Sequence, residues 1–126
     1  VPSEQEMLDI AKHFNSPHVR YWHDTGHAQI RENLGLSGHI HWIKKLSPWI
    51  AGFHIHDVTP PAHDHLMIPE GNIDFRSLIA YFPPEVPLVI EPVPGTDRQK
   101  VADCRDMLAG MFKELRNTGK QKQEHK

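Results

Sequence analysis

Three short apolar runs, each ending in ionisable side chains, constrain this chain more than any other feature. They are Val19-Arg20-Tyr21-Trp22-His23-Asp24, Trp49-Ile50-Ala51-Gly52-Phe53-His54-Ile55-His56 and Val86-Pro87-Leu88-Val89-Ile90-Glu91. Their length and their β-branched and aromatic content read as strands. The stretches before, between and after them repeat apolar residues at helical spacing. Met7, Ile10, Ala11 and Phe14 share one face of a helix over residues 3–14, opened by Ser3 as N-cap with Glu6 three residues on. Residues 27–34 read as a helix stopped by Gly35, and a further helix starts at Ser37 or Gly38, runs through Leu46 and is closed by Pro48. Asp74 caps a helix that Pro83-Pro84 breaks, and a last helix runs from Asp97 to Leu115, with Val101, Cys104, Leu108, Met111, Phe112 and Leu115 as its buried stripe.

Strands that alternate with helices form parallel sheets with crossover helices, so the fold class is α/β. Three strands cannot close a barrel; an eight-stranded barrel takes about 250 residues, and this chain has 126. The reading is a partial (β/α)8 TIM barrel, roughly half of one, over residues 1–117, followed by a polar, disordered tail at 118–126. The third run, being continuously apolar, predicts a strand buried on both faces. Trp22, Trp42, Trp49 and Phe53 are expected as core aromatics between sheet and helices. Val1-Pro2-Ser3 reads as the lead-in to a helix, which predicts that an amino-terminal part is absent. The uncovered sheet edges of a half-barrel would then favour a homodimer.

In a parallel barrel the chemistry sits at the carboxyl ends of the strands. All three runs place polar groups there. Asp24 ends the first, and His27, three residues on, would share its face if a helical turn begins there; alternatively Asp24 caps the helix and His27 is a surface residue. His54 and His56 alternate with Ile55 and so point to the same side of their strand, with His54 the deeper. A buried His54 with His56 exposed is the alternative. Asp57 points the other way, to cap the loop or to orient a ligand from behind. Glu91 follows three apolar residues, and a buried carboxylate there needs a cation as partner: a metal ion, an arginine or a lysine. Residues 58–72 read as a long loop, and His63, Asp64 and His65 within it would be either solvated or folded over the strand ends. His23 faces away from Asp24, and His13, His18, His39 and His41 read as surface or packing residues. Histidine is the common metal ligand among side chains, and 11 of them are present. What counts is that a subset falls at strand ends.

The bulk properties exclude some roles. With 14 basic and 16 acidic side chains the formal net charge is -2, which gives no support to nucleic-acid or acidic-membrane binding. No run approaches the roughly 18 apolar residues of a membrane span. Cys104 is the single cysteine, which fits a reducing cytoplasm.

Taken together, these residues resemble the carboxy-terminal half of the xylose isomerase-like TIM barrels, a superfamily of sugar isomerases and epimerases, inosose dehydratases and endonuclease IV. Asp24-Thr25-Gly26-His27 resembles the Asp-x-x-His motif, and Phe53-His54-Ile55-His56-Asp57 resembles the His-x-x-Asp strand. His65, before Glu70-Gly71-Asn72-Ile73-Asp74, resembles the histidine preceding a Gly-x-Gly-x-Ile segment, and Val89-Ile90-Glu91 the final metal-binding glutamate. The resemblance implies that Asp24, His54 and Glu91 ligate a divalent ion; the mixed nitrogen and oxygen donors suit zinc or manganese among others, and in an isomerase Glu91 would be both ligand and proton shuttle. His27 would ligate a further metal or hold a substrate hydroxyl. His65, with the position two before it, binds a third metal in the endonuclease branch. That position is usually Asp and here is His63, with Asp64 one residue late. His56 and His65 would contact substrate. A second metal glutamate, on an earlier strand in the family, has no counterpart here.

The expected function is a divalent-metal-dependent isomerase or epimerase acting on a small sugar-like hydroxy-carbonyl substrate through a metal-stabilised enediolate. The alternatives are an endonuclease IV-like phosphodiesterase and a truncated scaffold without activity of its own. The isolated chain is expected to bind metal weakly.

Overall fold

The structure is a computed structural model and describes residues 2–124. Helix α1 (Glu4–Phe14) opens on a capping box: the Ser3 side chain accepts the Glu6 N–H, and the Glu6 carboxylate accepts the Ser3 N–H. Strand β1 (Tyr21–Asp24) runs directly into α2 (Thr25–Asn33), with Asp24 as N-cap. Helix α3 (His39–Leu46) is followed by a single 3-10 turn at Ser47–Trp49, where Pro48 ends the α-helix, and then by β2 (Ile50–Ile55). An antiparallel hairpin of β3 (Asp57–Thr59) and β4 (His63–Leu66) comes next. Helix α4 (Phe75–Leu78) continues as a 3-10 turn, Ile79–Tyr81, before β5 (Leu88–Ile90) and α5 (Arg98–Glu124).

Strands β1, β2 and β5 form one parallel sheet in that order. This is the sheet and crossover geometry of part of a TIM barrel, and it does not close. Side chains alternate across it. Tyr21, His23, Phe53 and Ile55 face the helices, where they meet Trp42, Ile43, Leu46, Cys104 and Leu108 in one core. Trp22, Asp24, Gly52, His54 and Val89 face the opposite, concave side, which would be the barrel interior. The register puts Asp24 beside His54 and His54 beside Val89, a single rung across the three strands. No helix among the described residues is long and apolar enough to cross a membrane.

Four expectations change. Residues 58–72 are not one irregular loop: the β-branched Val58 and Thr59 pair with His63–Leu66 across a Pro60-Pro61 turn. The β5 run is not buried on both faces. It is an edge strand, and Val89 is 45% exposed because no further element among the described residues covers the concave side there. Trp22 is not between sheet and helices; it lies on the concave face over Gly52, where a Cβ would come within 2.5 Å of the indole. Helix α5 continues through Glu124, so residues 118–124 of the expected tail are helical, and Leu115 at the end of the predicted stripe is exposed. His125 and Lys126 lie outside the described residues.

Candidate metal centre

The carboxyl end of β1 is built around Asp24. Its Oδ1 accepts the backbone N–H of His27 at 2.9 Å, which caps α2, and takes the His56 Nε2 at 2.6 Å. Its Oδ2 faces His27 Nδ1 at 3.2 Å. Capping the helix and presenting a carboxylate are therefore not alternatives, because one side chain does both. Burial by itself would push the Asp24 carboxyl up. The bonds from the His27 ring, from His56 and from the His27 N–H outweigh it and hold Asp24 well below the usual carboxylate range. The hydrogen bond to Asp24 pushes His27 up, against a smaller opposing effect of burial and with help from the charges of Asp24, Asp64 and Glu91.

Thr25, fully buried, ties β1 to β2. Its hydroxyl donates to the His56 carbonyl at 2.8 Å and accepts the His56 N–H at 3.1 Å. Across the sheet, the Glu91 N–H donates to the Ile55 carbonyl at 3.0 Å, extending the β2–β5 ladder by one step and setting the Glu91 carboxylate beside the β2 histidines. Glu91 Oε1 lies 3.6 Å from His54 Nδ1, and Oε2 lies 3.6 Å from His65 Nε2.

The hairpin closes over this rim. Asp57 points away from the rim and clamps the hairpin base: buried, it accepts the N–H groups of Val58 (2.9 Å), Ile73 (3.1 Å) and Gly71 (2.9 Å). That is the loop-capping role expected of it. His65 adopts a left-handed φ of 57°, which breaks the alternation of β4 and lets Asp64 and His65 both face the rim. Asp64 Oδ1 is 2.8 Å from His65 Nδ1, and its Oδ2 is 3.5 Å from His27 Nε2. His65 stacks on His56 with ring centroids 4.2 Å apart.

The sequence reading of Asp24, His27, His54, His65 and Glu91 thus converges on one place. It goes astray at three others. His63 is exposed and belongs to none of the donor clusters, while Asp64, one residue off the expected spacing, faces the site; the positive φ at His65 is the cause, and no sequence signal marks it. His54 is not the deeper histidine. It is 39% exposed, whereas His56 has no exposed side-chain surface. His56 therefore offers no atom to a substrate in this arrangement, contrary to expectation.

Among the described residues, three overlapping groups have ligand atoms within 4.8 Å of one another: Asp24-His54-Glu91, Asp24-His27-His56 and His56-His65-Glu91. Mixed imidazole and carboxylate donors suit several divalent ions. The residues fit a divalent ion. The Glu91 contacts at 3.6 Å are longer than hydrogen bonds, so Glu91 faces His54 and His65 across the rim without bonding to either. A search of curated proteins returned no match. The family model of the xylose isomerase-like TIM barrels matches residues 1–83, a span that takes in Asp24, His27, His54 and His65 and stops short of Glu91. With that match over most of its length and a parallel sheet whose carboxyl ends carry the donor set, the chain belongs to the xylose isomerase-like TIM barrel family.

Proposed function

We propose that this chain carries the divalent-metal centre of an isomerase or epimerase acting on a small sugar-like hydroxy-carbonyl compound. The observation that carries the reading is the convergence of Asp24, His54 and Glu91 on the carboxyl rim of the sheet, with ligand atoms within 4.8 Å of one another. Asp24, His54 and Glu91 would hold a divalent ion, zinc or manganese, whose chemistry there would be Lewis-acid stabilisation of substrate oxygens.

The chain's own residues do the rest. Asp24 is held ionised by its three hydrogen bonds and needs no deprotonation before it ligates. Glu91 is 37% exposed on the open side of the rim, where a carboxylate can take a carbon-bound proton and return it at the neighbouring carbon. His27, with its ring between the Asp24 and Asp64 carboxylates, can hold a substrate hydroxyl. The formal net charge of -2 suits a small neutral substrate better than a phosphate backbone. One observation bears on a second reading, a phosphodiesterase: the donor groups overlap, and were His56 to give up its bonds to Asp24 and His65 they would offer sites for a second ion, as two-metal phosphoryl chemistry uses.

Titration calorimetry of the purified chain with zinc and with manganese, backed by elemental analysis, tests the site. Binding that is lost in Asp24→Ala supports it, and no uptake of either ion overturns it. Assays on ketose and aldose sugars and on abasic-site DNA separate the two chemistries. Cleavage of the DNA without sugar turnover would replace the isomerase reading by the phosphodiesterase.

A further inference from the structure

His56 has the chemistry of a ligand and two of the three donor clusters include it, yet its surroundings commit both ring nitrogens elsewhere. The His65 backbone N–H points at His56 Nδ1 at 2.8 Å. A backbone N–H can only donate, so Nδ1 is the lone-pair nitrogen. A proton on Nδ1 would set two donors against each other at that distance. The ring hydrogen therefore sits on Nε2, which is 2.6 Å from Asp24 Oδ1 and donates to it. The ring is fully buried, stacked on His65 on one face. Gly26 also lies against it, so closely that a Cβ there would fall 2.0 Å from His56 Cε1. It has no room to turn and no free nitrogen to offer an ion.

We propose that His56 is a positioning residue: it fixes the Asp24 carboxylate through Nε2–H and holds the β3–β4 hairpin through Nδ1, so that one ring sets the carboxylate of the first strand and the imidazole of His65 in register. This rests on the reading of Asp24 as a metal ligand. With Oδ1 taking N–H bonds from His56 and from the His27 backbone, Oδ2 is the less committed oxygen of Asp24. The centre is then Asp24, His54 and Glu91, with His65 entering through the hairpin, and without His56. The same logic fixes His65. Its Nδ1 is bonded to the Asp64 carboxylate, which leaves Nε2, the nitrogen nearest Glu91, as the donor available to an ion.

The test is nuclear magnetic resonance of the full chain with labelled histidine, alone and titrated with zinc, alongside calorimetry of the wild type and His56→Phe. Phenylalanine keeps the stacked ring and loses both hydrogen bonds. The expected results are three. The free chain shows His56 as the Nε2–H tautomer. Zinc shifts the nitrogens of His54 and of His65 Nε2 while the His56 tautomer persists. His56→Phe binds zinc about tenfold to a hundredfold more weakly, as loss of an orienting partner does, with unchanged stoichiometry. An Nδ1–H tautomer, or a His56 nitrogen that becomes metal-bound, overturns the proposal. So does a folded His56→Phe chain with wild-type affinity, since a role in stability alone would leave affinity untouched. Failure of the wild type to take up zinc overturns instead the metal reading on which the proposal stands. The tautomer in the free chain is read independently of the metal and of whether the variant folds.

Discussion

Gly26 lies flat against the ring of His56, so that the first turn of α2 and the end of β2 touch without an intervening side chain. The helix can start immediately after Asp24 only because of this close approach. Gly26→Ala puts a methyl group into the His56 ring, which is buried and cannot yield. Alanine gains up to about 1 kcal/mol of helix propensity over glycine, but overpacking of this kind costs typically about 1–3 kcal/mol. The expected outcome is a net loss of stability in urea denaturation, together with weaker zinc binding as the displaced ring lets go of Asp24. A variant at least as stable as the wild type, with unchanged zinc affinity, would show that the ring can move after all.

Asp57 offers a sharper stability test, because its carboxylate serves three backbone donors at the hairpin base. Asp57→Ala leaves buried N–H groups without an acceptor, at about 1–3 kcal/mol for a group left unsatisfied. A loss of about 2–4 kcal/mol is expected on that basis, read as a lower denaturation midpoint. Hydrogen exchange should quicken first at Gly71 and Ile73. Uniform exchange across the chain would mean that the clamp is not local.

What is legible in the sequence follows from what local patterns encode. The capping box at Ser3 and Glu6, the strand ends at Asp24 and Glu91 and the inward pair His54 and His56 are all local in origin, set by periodicities of 3.6 and 2. The hairpin is hidden because a run bracketed by prolines and holding three successive polar residues gives no strand signal; Asp57, the first residue of β3, clamps its base through the distant N–H groups of Gly71 and Ile73, contacts that no local pattern marks. The exchange of His63 for Asp64 turns on one positive φ, at a histidine, where pattern reading expects simple alternation. The depths of His54 and His56 invert for another reason. Depth along a strand is not burial: the concave face is open at His54, while the hairpin and Gly26 cover His56.

Asp64 against His63 is therefore a direct contest between structure and spacing. Asp64 bonds His65 Nδ1 and reaches toward His27, whereas His63 is exposed. Asp64→Asn is expected to weaken zinc binding about tenfold, since it removes the charged partner that orients His65. His63→Ala should leave affinity within error. The reverse ranking by calorimetry would restore the spacing-based assignment and place the hairpin in a different register.

The helix-facing side of β1 carries its own pH dependence. Tyr21 Oη lies 3.0 Å from His23 Nδ1, His23 Nε2 lies 3.0 Å from His39 Nε2, and His39 Nδ1 lies 3.0 Å from Gln29 Oε1. The amide oxygen can only accept, so the proton order runs from Tyr21 through His23 and His39 to Gln29 with both imidazoles neutral. Burial pushes His39 down to about 4, against smaller opposing effects from Glu32 and Asp24, and burial together with His39 pushes His23 down as well. A histidine whose folded value is depressed binds its proton more readily unfolded. Its contribution to stability is present in full above pH 6.5 and is lost as pH falls towards about 4. His27 has the opposite sign: its raised value gives stability that is complete below its unfolded value and is lost only as pH rises through the folded one. Asp24 acts only below the ordinary carboxylate range, because its folded value lies beneath it. Stability measured from pH 7 to pH 4 should therefore fall, by an amount on the order of 2–3 kcal/mol for His39, since each pH unit between the folded and unfolded values is worth about 1.4 kcal/mol. In His39→Gln, whose side chain does not titrate, the fall should be smaller. A wild-type denaturation midpoint that stays flat across this window would mean that the chain of bonds accepts a proton without opening.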